Sequence, residues 1–292
     1  MTSCAGPSEI RLPAANQAHP DRFQLTTVPF FPQKDYQCGP AALAMTLTWS
    51  GVAVTPQDLV AEVFTASKKG SLQSAMVAAV RRHDRIAYLL AGPQSLTAEI
   101  AAGNPVVVLQ NLGLSWYPVW HYAVVIGWSA DSRLILHSGT TPFKQISLKT
   151  FERTWARSHF WGLLVLPPDR LPADASETRY LQAVSQLERL GRWDIAARGY
   201  EAARDRWPNS LAALMGLGVC RYQAGDLPSA EAVFRQATVT FPSEGVAFNN
   251  LAQVLIDQGR RTEALAAVRQ AILLGGPFQA QFEQTLEEIR NQ

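Results

Sequence analysis

Residues 26–51 read TTVPFFPQKDYQCGPAALAMTLTWSG, and the organisation of the N-terminal half follows from them. VPFF (28–31) reads as a short strand, PQKDYQ (32–37) as a turn, and AALAMTLTW as a helix that Gly51 stops. Pro40 suits the first helical position, where its missing N–H would have no partner anyway. Cys38 then lies at a helix N-terminus, where unpaired amides and the helix dipole favour a thiolate over a thiol. A structural cysteine more usually sits mid-element among large apolar neighbours. Here the small Gly39 and Ala41 leave room for a substrate backbone.

The chain around this stretch has 292 residues, 47% hydrophobic and 17% charged, which suggests two packed domains and excludes wholesale disorder. Lys+Arg 26 against Asp+Glu 24 leaves a net charge of +2 with no basic block, so no nucleic-acid partner is expected. Three cysteines, Cys4, Cys38 and Cys220, are too few and too scattered for a disulfide framework or a zinc site, and no metal is expected. No apolar run reaches the ~18 residues of a membrane helix, and no intact secretory signal is read. Residues 1–24 are small, polar and proline-bearing and read as a flexible tether. Within it Ser3-Cys4-Ala5-Gly6 reads as the remnant of a bacterial lipoprotein signal. Cys4 is then a lipid anchor on the periplasmic side of the cell envelope, and the only membrane connection expected. The alternative is a cytoplasmic protein with a chance cysteine in its leader.

A nucleophilic thiol needs a base. His19 falls in the tether and His83 in the charged run RRHDR, while His159 has no evident acidic neighbour. His121 differs, because it opens the apolar strand HYAVVIGW just after an aromatic loop, and polar residues at strand mouths are where sites are held.

The QxxxxCGPAAL stretch and HYAVVIG, followed by RLILH, resemble the C39 family of cysteine peptidases and its C39-like relatives, over about residues 25–168. The resemblance implies an α+β papain-like fold with Cys38 as nucleophile and His121 as general base, and no cofactor. SLQSAMVAAVRRHDRIAYLL matches the intervening helix and strand. Gln33 would offer its side-chain amide to the oxyanion beside the backbone N–H of Cys38. It lies five residues before the cysteine, where leader-trimming members of the family usually have six. A second departure concerns the residue that orients the imidazole. The family carries an acid roughly sixteen positions after the histidine, and here that position is His137, followed by Ser138. Asp131 belongs to the turn SADS, away from the strand end. Three expectations remain open: a Cys–His dyad oriented by His137 or Ser138, a weakened enzyme, or a domain that binds without cutting. Trp116, Tyr117 and Trp120 crowd the loop before His121. They read either as the wall of a substrate cleft or as aromatics packed on the core.

Beyond the Pro- and Asp-rich junction at 169–176 the pattern changes. Gly191, Gly225 and Gly259 recur every 34 residues. Ala196, Ala230 and Ala264 follow each glycine at one spacing, Tyr200, Phe234 and Val268 at a second, and Ala203, Ala237 and Ala271 at a third. Pro208 and Pro242 also align. This resembles tetratricopeptide repeats, helix–turn–helix units of that period. Residues 177–292 are therefore expected to be all-α, with repeats at 177–210, 211–244 and 245–278 and a capping helix from Phe278. Gly276-Pro277 alters the exit of the third unit, and Cys220 reads as core filler.

The functions that follow are a thiol peptidase acting on a peptide or protein, with a partner or substrate held in the repeat groove, or a binding scaffold whose repeats do the work. A third keeps the thiol but makes the protein an amidase or acyltransferase on a non-peptide substrate.

Overall fold

The computed structural model describes residues 10–13 and 22–291, and Cys4 and His19 lie outside them. The described residues divide into two compact units, 1–176 and 177–292.

The first unit runs β1 (Phe23–Gln24), α1 (Cys38–Trp49), α2 (Pro56–Val63), β2 (Phe64–Thr65), β3 (Gly70–Ser71), α3 (Gln73–Arg82), β4 (Ile86–Leu89), α4 (Ser95–Ala101), β5 (Val106–Asn111), β6 (Trp120–Ser129), β7 (Arg133–Ser138), β8 (Thr141–Ser147), α5 (Leu148–Ala156) and β9 (Gly162–Leu166). One antiparallel sheet has the order β4-β9-β5-β6-β7-β8, and β1 pairs with β6. VPFF, expected as a strand, is irregular; the strand forms earlier, at Phe23–Gln24. Val28 is fully buried, while Phe30 and Phe31 pack on the core, so these residues serve as fillers rather than ladder members. The helix after them starts at Cys38 itself, with Pro40 in its first turn, and Gly51 follows it at φ 91°.

Helix α1 is apolar almost all round, as a buried helix should be. Ala41 to Leu47 are buried, and they share one core with Tyr122, Val124 and Ile126 of β6 and Val107 and Leu109 of β5. Strand alternation decides the rest: even-numbered residues at the start of β6 face α1, and odd-numbered ones face the other side.

The stretches read as tether and linker are both anchored where they are described. Ile10 is buried, and the Arg11 carbonyl accepts a hydrogen bond from Thr97 Oγ1 at 2.8 Å. Glu99 on α4 is fully buried. Its carboxylate accepts from Asn104 Nδ2 at 2.7 Å and from the main-chain N–H groups of Ala173 at 3.0 Å and Asp174 at 3.1 Å. A buried carboxylate is tolerated only when its oxygens are so occupied. These bonds hold the end of the first unit onto α4.

The second unit is α6 (Glu177–Arg189), α7 (Trp193–Arg206), α8 (Leu211–Gln223), α9 (Leu227–Thr240), α10 (Gly245–Asp257), α11 (Arg261–Leu274) and α12 (Gln279–Asn291). It forms three helix pairs and a cap, an all-α repeat domain. Gly191, Gly225 and Gly259 take φ of 69°, 80° and 75°, the left-handed conformation that ends a helix and favours glycine. Ala196, Ala230 and Ala264 are fully buried, as are Ala203, Ala237 and Ala271, so the paired helices approach closely. In the third unit α11 ends on Gly275 and Gly276, both at positive φ, before Pro277. Cys220 is buried in α8, as core filler should be.

Removing the Glu99 side chain leaves the buried Asn104 Nδ2 without its acceptor and frees the main-chain N–H groups of Ala173 and Asp174. Glu99→Ala is expected to lower the stability of the first unit by ~3 kcal/mol, measured by urea denaturation of the full chain followed by tryptophan fluorescence. An unchanged midpoint would show that the 173–174 segment contributes nothing.

Candidate active site

Helix α1 delivers Cys38 to the side of β6. The thiol is half-buried and faces the backbone N–H groups of Tyr122, Gly39 and Cys38 itself. Gly39 is required here by close approach: a Cβ on it would lie 2.2 Å from Ser71 Oγ. Ser71 comes from β3, accepts the Tyr122 hydroxyl on its carbonyl at 3.2 Å, and keeps a buried Oγ without a hydrogen-bond partner. No local signal in the sequence ties Ser71 to Cys38; only the packing of β3 on α1 does.

His121 is buried on β6, one residue from the amide that faces the thiol. Its Nε2 lies 2.9 Å from Ser138 Oγ at the end of β7. Among the described residues its Nδ1 makes no hydrogen bond. The Ser138 hydroxyl can accept from or donate to Nε2; in the tautomer with Nε2–H donating, Nδ1 is unprotonated and able to accept a thiol proton. No hydrogen bond joins Cys38 to His121 in this resting arrangement.

His137 does not orient His121. The register pairs His137 with Val124, so its ring points to the α1 face, whereas His121 and Ser138 share the opposite face. Nε2 of His137 faces the Val28 carbonyl at 3.2 Å, and Nδ1 accepts the Phe143 N–H at 3.3 Å. Phe30 and Phe143 pack against its ring at centroid distances of 5.2 and 4.9 Å. It is a buried histidine that ties residues 28–30 to β8; of the two orienters the sequence left open, His137 and Ser138, the one that bonds the His121 ring is Ser138. Asp131 stays in the β6–β7 turn, bonded to Ser129 and Arg133. His83 pairs with Glu62 on the surface.

Gln33 is held by its own N–H on the Gly139 carbonyl at 3.2 Å, next to Ser138. With Gln37, Ala41, Thr55 and Pro56 it lines a cavity of about 230 Å³ beside the start of α1. Its side-chain amide makes no hydrogen bond among the described residues. Trp116, Tyr117 and Trp120 do not pack on the core: they are 81%, 68% and 49% exposed. Their loop is nevertheless built. Asn111, buried at the end of β5, accepts the N–H groups of Gly113 at 3.0 Å and Val119 at 2.9 Å and donates to the Leu114 carbonyl at 3.2 Å. Arg157 donates to the carbonyls of Asn111 and Gly113. Leu112, Leu114 and Val119 are exposed beside the aromatics.

The electrostatics oppose a preformed ion pair. Burial pushes the Cys38 thiol up despite the three facing amides, so the expected advantage of the helix N-terminus is overridden. Burial, with the charge of Lys144 adding to it, lowers His121 to about 4. Lys144 was not singled out in the sequence. It pairs with Leu136, whose partner across β6 is Val125, and so stands on the His121 face of the sheet. The ground state is a protonated thiol and a neutral imidazole. Moving the proton between them is uphill, because burial weakens the thiol as an acid and the imidazole as a base. Among the described residues no group of three or more His, Cys, Asp or Glu is arranged to hold a metal ion.

Residues 25–162 match the Peptidase_C39 like family, and residues 181–244 match the tetratricopeptide repeat. The chain joins a C39-like domain to a tetratricopeptide-repeat domain. A mouse protein described as FK506-binding protein-like is 35% identical over 102 residues, which is 35% of this chain and 28% of that protein. The chain thus spans less than a third of that relative's length. The Yersinia enterocolitica type III secretion chaperone SycD, solved in complex with a peptide of the translocator YopD, is similar at 20% identity and a TM-score of 0.37, over 40% of this chain and 95% of that one. The TPR2B domain of yeast Sti1 in a pHsp70 complex is similar at 15% identity and a TM-score of 0.38, over 39% and 96%.

The lowered His121 makes stability depend on pH in a fixed sense. The unfolded imidazole binds its proton first as pH falls, so stability is full above about 6.5 and is lost from there down to about 4. About 3 kcal/mol is expected to disappear across that window in the wild type beyond what His121→Gln loses, measured by urea denaturation at stepped pH. Parallel curves would contradict the buried neutral state. Ser138→Asp is expected to raise the His121 titration by about one unit or more, read by NMR of the ring.

Proposed function

We propose that the C39-like domain is a cysteine peptidase that cleaves a peptide or protein, and that the repeat domain recruits the substrate or a partner. What carries the reading is the His121–Ser138 contact, which leaves Nδ1 free one residue from the amide that faces the Cys38 thiol. In acylation the thiol proton passes to Nδ1 as Sγ bonds to the carbonyl carbon. The imidazolium then protonates the leaving amine as the C–N bond breaks, and water hydrolyses the thioester to restore the thiol. The Cys38 amide and the free Gln33 side-chain amide are the oxyanion donors in this reading. The rigid loop carrying Trp116, Tyr117 and Trp120 adds an apolar wall on which a peptide packs. The three helix pairs offer the concave surface by which such repeats hold an extended or helical segment.

A second reading, a scaffold that binds without cutting, is favoured by one observation: the histidine has a hydroxyl and a lysine near it where the family has an acid. The thiol separates the two. Under the peptidase reading, iodoacetamide labels Cys38 at least tenfold faster than buried Cys220 in the folded protein near neutral pH. Equal rates would sink the nucleophile. His121→Ala is expected to slow that labelling and to reduce turnover of a proteome-derived peptide library by about a hundredfold or more, followed by mass spectrometry. Turnover that survives Cys38→Ala would overturn the assignment.

A further inference from the structure

The His121 face of the sheet carries the positive charge of Lys144, and among the described residues no carboxylate bonds to His121 or Lys144. Gln110 of β5 lies across from His121 and donates to Thr154 Oγ1 of α5 at 2.7 Å. Ser138 of β7 supplies the only hydrogen bond to the ring among the described residues, and Lys144 of β8 supplies a full charge on the same face. Lys144 is exposed and makes no hydrogen bond or ion pair among the described residues. Among those residues, no carboxylate is bonded or ion-paired to His121, Ser138 or Lys144. A site that must pass through an imidazolium therefore starts from the wrong sign of field.

Taking His121 as the base of the proposed reaction, we propose that Lys144 is a specificity residue that binds a carboxylate of the substrate, and that this carboxylate supplies the negative charge the chain itself lacks. An exposed ammonium on β8, one strand beyond Ser138, can receive such a group as a charge-assisted hydrogen-bond donor. Once paired, it no longer opposes the charge on His121, and the carboxylate attracts the imidazolium directly. The same binding event that selects the substrate then makes proton transfer from Cys38 easier. Substrates without the carboxylate bind weakly and leave the histidine neutral. The carboxylate can come from a free C-terminus or from an acidic side chain. The flanking loop is uncharged and aromatic, so the rest of the ligand is apolar.

The test uses the full chain as Cys38→Ala with ring-labelled histidine, followed by NMR. N-acetylphenylalanine carries a terminal carboxylate, N-acetylglutamate α-amide a side-chain one, and N-acetylphenylalaninamide neither. At least one of the two carboxylates is expected to raise the His121 titration saturably by about one unit or more, and the neutral amide to leave it in place. The carrier that binds identifies the source. Lys144→Gln is expected to weaken that binding by about tenfold or more, with the apo titration of His121 already raised. The proposal is overturned if neither carboxylate moves His121, if sulfate at equal concentration moves it as far, or if Lys144→Gln binds as tightly as its parent. These readouts do not depend on turnover. An unreactive Cys38 with carboxylate binding intact removes the peptidase and keeps the receptor, and a reactive Cys38 with no carboxylate response does the reverse.

Discussion

The N-terminal unit is organised around one junction, where the first residue of α1 meets the side of β6. Burial of Ala41 to Leu47 against Tyr122, Val124 and Ile126 drives the helix onto the sheet. Its first residue is thereby pressed against the Tyr122 amide. Gly39 permits the approach because Ser71 occupies the space where its Cβ would be. The apolar packing that positions the thiol also takes it out of water, and this raises its pKa against the pull of three amides. Position and activation are set by the same contact and work in opposite directions.

The register of β6 and β7 then distributes the histidines. A strand sends neighbouring side chains to opposite faces, so His137 and Ser138 cannot serve the same partner. His137 goes inward, where it accepts and donates one backbone hydrogen bond each and is packed between two phenylalanine rings. Ser138 goes to the His121 face, and Lys144 joins it from β8. A hydroxyl can hold the ring in one orientation, but it pairs with either tautomer and adds no charge to stabilise an imidazolium. The cost of proton transfer has to be met from outside the chain or left unmet, and this is the physical difference between the two readings of the domain.

Much of this was legible in the sequence. Three glycines at one period, each followed by alanine at fixed spacings, announce paired helices because the spacing is a local property of the chain. The position of Cys38 at the start of α1 is equally local, as are the helix after it and the α3–β4 pair. The VPFF segment was misread as a strand because an apolar run of four looks alike in a ladder and in a core. The tether and linker readings rested on composition, which carries no trace of the buried Glu99 or of Ile10 packed in the first unit. The 116–120 aromatics left two outcomes open, and their exposure on the Asn111-clamped loop removes one of them, packing on the core.

The sequence by itself determined the two kinds of fold, the repeat period, the thiol at a helix start and the histidine at a strand mouth, since all of these depend on residue type and spacing along the chain. The tertiary structure decided which residue holds His121, which face His137 takes and where Lys144 stands. It also decided whether the helix N-terminus or burial controls the thiol. Those outcomes depend on cross-strand register and on desolvation, and neither exists until distant segments have packed together.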